Sequence, residues 1–186
     1  MIQHTPPAAT YCYENLGERH IRLLKLLVSS NADPTYNLIE TSLDSAPPYE
    51  TVSYVWGREQ DRSQALTFAS SQTVHVTPTL QHTLSHLYSR CQTGYLWLDQ
   101  ICIDQSNILE CNQQVGLMGE VYSKAQRVLI WLGEGDEDSQ HLSTLLDITS
   151  TSIQQQHSFN HRRLSIRKLL ALPWFGRAWV VQEAVL

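Results

Sequence analysis

Three short apolar segments alternate with stretches of helical periodicity, and this alternation constrains the chain more than any other feature. The segments are Glu50-Thr-Val-Ser-Tyr-Val-Trp56, Tyr95-Leu-Trp-Leu98 and Arg127-Val-Leu-Ile-Trp-Leu132. They are rich in β-branched and aromatic residues and stop at Gly57, Asp99 and Gly133, as strands do. Nearly continuous apolar character means that both faces of the sheet need cover. Between them, Thr77-Pro78 offers an N-cap with proline at the first helical position, followed by the stripe Leu80, Leu84, Leu87. The spacing predicts a second helix over 107–125 with Val115, Met118, Tyr122 and Ala125 on one face. Strand–helix alternation of this kind implies an α/β fold, a parallel sheet flanked by helices and joined by right-handed crossovers.

The flanking segments fill out this plan. Residues 1–10, with two prolines and small polar residues, read as a flexible tail, and 11–186 as one domain. Tyr11 to Leu16 and Tyr36 to Leu43 read as strands; His20 to Val28 fits strand or helix equally well. These add N-terminal β-strands to the sheet. Ala65–Phe68 and Thr73–Thr77 read as an inserted hairpin. Further helices are expected over 136–156, over 162–171, and from Arg177 or Ala178 onward.

Composition excludes several function classes. With 42% hydrophobic and 17% charged residues the chain is globular. Thirteen basic against eighteen acidic residues give a net charge of −5, which is no footprint of a nucleic-acid binder. Cys12, Cys91, Cys102 and Cys111 lack CxxC or zinc-finger spacing and read as reduced thiols. The N-terminus lacks the features of a signal peptide, and no apolar run is long enough to span a membrane. A cytoplasmic protein is the expectation.

Ligands of open α/β sheets bind beyond the carboxyl ends of the strands. Those ends offer Trp56, Gly57 and Arg58, then Asp99 and Gln100, then Gly133 and Glu134. The last thirteen residues, Trp174 to Leu186, set one carboxylate, Glu183, in an apolar run four residues after Trp179. On a helix the indole and the carboxylate share a face. Two readings stand side by side: a poorly solvated carboxylate suited to acid/base or cation-stabilising work, or an ion pair with Arg177 that helps this end pack. Asp99 fits a catalytic, cation-binding or capping role. Asp99 and Asp104 lack a third carboxylate at usable spacing, so no metal is assigned. Cys102, between Ile101 and Ile103, reads as an inert buried thiol. His82 and His86 fall opposite the leucine stripe and read as solvated.

Five ordered blocks resemble the fungal heterokaryon-incompatibility (HET) domain: Tyr49–Gly57, Leu96–Gln105, Gln114–Met118 with Val121–Ala125, Val128–Gly133, and Trp174–Glu183. The resemblance spans about residues 11–186. Asp104 departs from the family's usual asparagine, and the chain stops three residues after Glu183, so the final helix is expected to be cut short. The resemblance implies a role in fungal non-self recognition and programmed cell death, and a distant kinship with the flavodoxin-like TIR fold. TIR domains that cleave NAD at the nicotinamide–ribose bond use a helical glutamate, often with tryptophan four residues earlier; Trp179-Val-Val-Gln-Glu183 is similar. Val52-Ser53-Tyr54 resembles the end of the first TIR strand.

On that resemblance Glu183 is the catalytic candidate. Ser53, Tyr54, Trp56, Gly57, Arg58, Asp99, Arg177 and Trp179 are the substrate-binding candidates. NAD is then substrate rather than cofactor. The partners implied are further copies of the chain and NLR-type or other HET-containing proteins. The alternative is a non-enzymatic, self-associating adaptor. The absence of GxGxxG and GxxxxGK[ST] disfavours a Rossmann dehydrogenase or a P-loop NTPase.

Overall fold

The computed structural model describes residues 9–27, 35–58, 61–133, 167 and 170–177. The chain divides into two compact units, Met1–Trp131 with Val181–Leu186, and Leu132–Val180.

In the larger unit the strands are β1 (His20–Leu27), β2 (Thr35–Ser42), β3 (Glu50–Tyr54), β4 (Gln64–Thr67), β5 (Thr73–Val76), β6 (Tyr95–Trp97) and β7 (Arg127–Trp131). The helices are α1 (Pro78–Leu87), the single turn α2 (Asp99–Cys102) and α3 (Ile108–Lys124). Five strands form one mixed sheet in the order β2-β1-β6-β3-β7, and β4-β5 form the separate hairpin expected from the sequence. The three apolar segments are parallel neighbours, with β3 between β6 and β7. The two N-terminal strands extend this sheet antiparallel, β1 against β6 and β2 against β1. The eight-residue pairing of β1 with β2 decides the ambiguity at His20–Leu27 in favour of strand.

Each sheet face is covered. Val52, Tyr54, Leu96 and Leu24 pack against Leu80, Leu84 and Leu87 of α1 and Leu66, Phe68 and Val76 of the hairpin region. Ile21, Leu23, Tyr49 and Trp97 pack against Met118, Val121 and Tyr122 of α3. From β3 the chain crosses to β6 on one side and then returns past β3 to β7 on the other.

Two local expectations need correction. Tyr11–Leu16 forms no strand; its tyrosines are used sideways, Tyr11 edge-on to Phe68 at 5.0 Å and Tyr13 donating its hydroxyl to the Ile101 carbonyl at 2.8 Å. Ala9 to Tyr11 instead follow the edge of β5 through backbone bonds to Thr73. The buried face of α3 carries Glu110, Gln114, Met118, Val121 and Tyr122, whereas Val115 is 41% exposed. Two polar residues turn the helix this way because each has an internal partner. Glu110 bonds Arg22 of β1 at 2.5 Å, and Gln114 Nε2 donates to the His20 carbonyl at 2.8 Å.

Residues 1–8 and the helices expected over 136–156 and from Ala178 onward lie outside the described residues, as does most of 162–171. Among the described residues no helix is long and apolar enough to cross a membrane.

Candidate functional site

The carboxyl ends of β3 and β6 meet at a tip built by two abrupt changes of direction. Past β3 the chain runs through Val55 and Trp56 to Gly57, whose φ of +78° suits glycine. A side chain there would also crowd Thr79, with Cβ 3.1 Å from its hydroxyl oxygen. Past β6 the backbone coils at once into α2, placing Asp99 in its first turn and burying it to 7% exposure. The Trp56 indole Nε1 donates to Asp99 Oδ2 at 2.8 Å. The other carboxylate oxygen accepts from the Gln100 amide at 2.8 Å, and the Asp99 carbonyl accepts from Gln105 Nε2 at 2.8 Å. Asp99 is thus fixed from three directions and holds the indole that follows the neighbouring strand.

The amino end of α1 arrives at the same place. Thr77 caps it, its hydroxyl accepting from the Leu80 amide at 3.2 Å and donating to Gln100 Oε1 at 3.3 Å. Beside this junction lies an open cleft of ≈ 460 Å³, lined by Gly57, Arg58, Asp61, Ser63, Thr77, Pro78 and Thr79. Arg58 is exposed there. A guanidinium, several hydroxyls and the positive end of a helix dipole form a lining able to receive an anionic group, with Asp61 opposing it.

Of the sequence-predicted residues, Trp56 and Asp99 are in direct contact, and Gly57 and Arg58 line the adjoining cleft. Ser53 and Tyr54 are each 1% exposed and stand in the core beneath the tip, outside the cleft lining. Arg177 belongs to the smaller unit, where its amide closes the 3-10 turn Pro173–Gly176 onto the Trp174 carbonyl at 3.3 Å. Glu183 and Trp179 lie outside the described residues. Thr77 and Thr79 join the site without having been singled out as binding residues, and Gln100 was named only as a strand-end residue. The N-cap signal at Thr77-Pro78 was legible; that α1 begins at the β3 tip follows from the crossover between parallel strands.

Other polar groups serve the scaffold. At the opposite end of β3, the fully buried Glu50 accepts from Arg127 Nε at 2.6 Å and from the Gln92 amide at 2.8 Å. Burial opposes its ionisation, but hydrogen bonds from the Cys91 thiol, Arg127 and the Gln92 and Thr93 amides hold its carboxyl below the usual range. Cys102 is fully buried, and burial pushes its thiol up to about 12, so it is protonated and inert at neutral pH. His82 and His86 do not simply face water. Their rings lie 4.4 Å apart, and His86 sits 4.8 Å from the Trp131 ring. Among the described residues no three His, Cys, Asp or Glu gather as a metal site.

Residues 49–183 match the family model described as Heterokaryon incompatibility protein (HET). The chain is also similar to heterokaryon incompatibility protein 6, OR allele, of Neurospora crassa. The two are 30% identical over 88% of this chain and 31% of that protein. The chain therefore spans about a third of the length of the curated relative it matches. No solved structure matches it.

Proposed function

The chain belongs to the heterokaryon-incompatibility (HET) family, and from that premise we propose that it is a module of fungal non-self recognition that triggers programmed cell death by cleaving NAD. Its setting is the cytoplasm, where it assembles with further copies and with NLR-type or other HET-containing partners. The flavodoxin-like arrangement of TIR domains is the parallel for its sheet.

The observation that carries this reading is the tip itself. An indole anchored by a buried carboxylate stands next to a cleft holding an exposed arginine and the start of a helix. In the proposed complex Arg58 and the amides near Gly57 meet the pyrophosphate, and Trp56 stacks on a ring of the dinucleotide. Glu183, the catalytic candidate, is assigned to the ribose. As the C1′–nitrogen bond breaks, the electron pair leaves with nicotinamide and positive charge builds on the sugar, which the carboxylate stabilises. Water then adds at C1′ and loses a proton, giving ADP-ribose. Nicotinamide departs as a neutral molecule, so one carboxylate suffices and no strong general acid is needed.

The test is Glu183→Ala, read by nicotinamide release and by toxicity on expression. The proposal expects an intact fold with both activities lost, and equal toxicity in the variant would reject the mechanism.

A further inference from the structure

We propose that residues 9–14 act as a strap that sets the geometry of the candidate site, with Tyr13 as the positioning residue that works through α2 on Asp99 and Trp56. The effect on the tip stands on contacts within the larger unit alone; the effect on NAD rests on the function proposed above.

The strap is tied to both elements that build the site. On one side it runs beside β5. The Tyr11 amide donates to the Thr73 carbonyl at 2.7 Å, and the Thr73 amide donates to the Ala9 carbonyl at 2.8 Å. β5 ends at Val76, and the next residue is Thr77, which caps α1 and lines the cleft. On the other side the Tyr13 hydroxyl donates at 2.8 Å to the carbonyl of Ile101 in α2, the turn that Asp99 begins. Thr77 and Gln100 join the two elements directly through their 3.3 Å bond. Strap, β5, Thr77, Gln100 and α2 therefore form a closed circuit of contacts, which Tyr13 completes.

α2 depends on such outside support. A single helical turn gains too few backbone bonds to offset the cost of ordering it. Its N-cap, Leu98, supplies no side-chain bond. Its last carbonyls are met from elsewhere in the chain, Ile101 by Tyr13 and Cys102 by Arg22 Nη1 at 3.1 Å. Arg22 also holds the strap. Its guanidinium carbon lies 4.9 Å from the centre of the Tyr13 ring, and Nη2 donates to the Glu14 carbonyl. Tyr11 braces the same ring edge-on at 4.9 Å. The Tyr13 ring is thus fixed in place where its hydroxyl reaches α2. Within α2 the Ile103 amide closes back onto the Asp99 carbonyl at 3.3 Å. Loosening the end of this turn is therefore passed to the residue that holds the Trp56 indole.

Heteronuclear NMR of the full 186-residue chain tests this, comparing Tyr13→Phe with a matched control, Tyr49→Phe. The Tyr49 hydroxyl also donates to a helix carbonyl, that of Val121 in α3 at 2.6 Å, but has no link to α2. Tyr13→Phe should shift the Trp56 indole N–H resonance and speed hydrogen exchange at the Ile103 amide about five- to tenfold, as loss of one hydrogen bond implies. Tyr49→Phe should leave both unchanged, as should Cys12→Ser, whose side chain is exposed on the strap. An unmoved indole and unchanged Ile103 exchange in Tyr13→Phe would overturn the proposal, and so would equal effects in Tyr13→Phe and Tyr49→Phe. On the NAD reading, Tyr13→Phe should also raise KM for NAD several-fold with kcat unchanged, because the strap acts on the binding tip. Wild-type cleavage of NAD with a Tyr13→Phe variant identical to wild type in all three readouts would sink the strap and leave that reading intact. A moved indole and faster Ile103 exchange in a protein that leaves NAD intact would sink the NAD reading and uphold the strap.

Discussion

The indole nitrogen of Trp56 donates to the buried carboxylate of Asp99 at 2.8 Å, tying the residue beyond one central strand to the first helical residue beyond its parallel neighbour. Replacing Asp99 by alanine strips the indole of its acceptor and frees the Gln100 amide as well. Unfolding in urea should then show a loss of about 1–3 kcal/mol. Asp99→Asn keeps one acceptor oxygen and should lose less than half of that. Equal losses in the two variants would mean that charge, and not the hydrogen bond, holds the tip.

Gly57 is the sharpest backbone requirement at the cleft. Gly57→Ala puts a Cβ 3.1 Å from the Thr79 hydroxyl at a φ of +78°. The expected cost is about 1–2 kcal/mol of stability in chemical denaturation. A variant as stable as wild type would show that this turn relaxes freely.

Arg22 and Glu110 form a buried pair, each at most 5% exposed, that joins β1 to the start of α3. Glu110 Oε1 also accepts from the Asp104 amide at 2.7 Å. Glu110→Ala leaves a buried guanidinium without its counter-ion and should cost about 3–5 kcal/mol. The double change Arg22→Met with Glu110→Leu should recover most of that, measured by thermal or urea unfolding. A double variant no more stable than the single one would contradict this.

Glu50 sets an acid limit. Its carboxyl lies below the ordinary range in the folded protein, so the contribution is present above the unfolded pKa of about 4.3 and disappears as pH falls through the folded value. Stability should therefore decline on acidification below about pH 4.3. Glu50→Gln should be less stable at neutral pH and show a shallower decline. Parallel pH profiles for the two proteins would exclude Glu50 as the source.

Much of the scaffold was legible because its signals are local. The apolar, β-branched and aromatic character of Glu50–Tyr54, Tyr95–Trp97 and Arg127–Trp131 marked strands, and Thr77-Pro78 marked the start of α1. What could not be read from spacing was which polar residues would be taken inward. Glu110 and Gln114 look like surface residues of an amphipathic helix until Arg22 and the His20 carbonyl supply their partners from a strand some ninety positions away. The same holds for Glu50, whose counter-ion comes from β7. At the site, the sequence already placed Trp56 and Asp99 at the carboxyl ends of two strands of one sheet. Their hydrogen bond depends on the immediate coiling of α2 after Leu98, for which the sequence carries no separate mark. Ser53 and Tyr54 continue the inward-facing strand for two residues longer than a ligand-facing reading requires.

The central claim is tested most directly by incubating the purified chain at high concentration with NAD and separating the products chromatographically, beside the Glu183→Ala variant. The account predicts nicotinamide and ADP-ribose in equal amounts from the wild type and intact NAD with the variant. Intact NAD in both, from protein shown to be folded and at concentrations where copies associate, would contradict it.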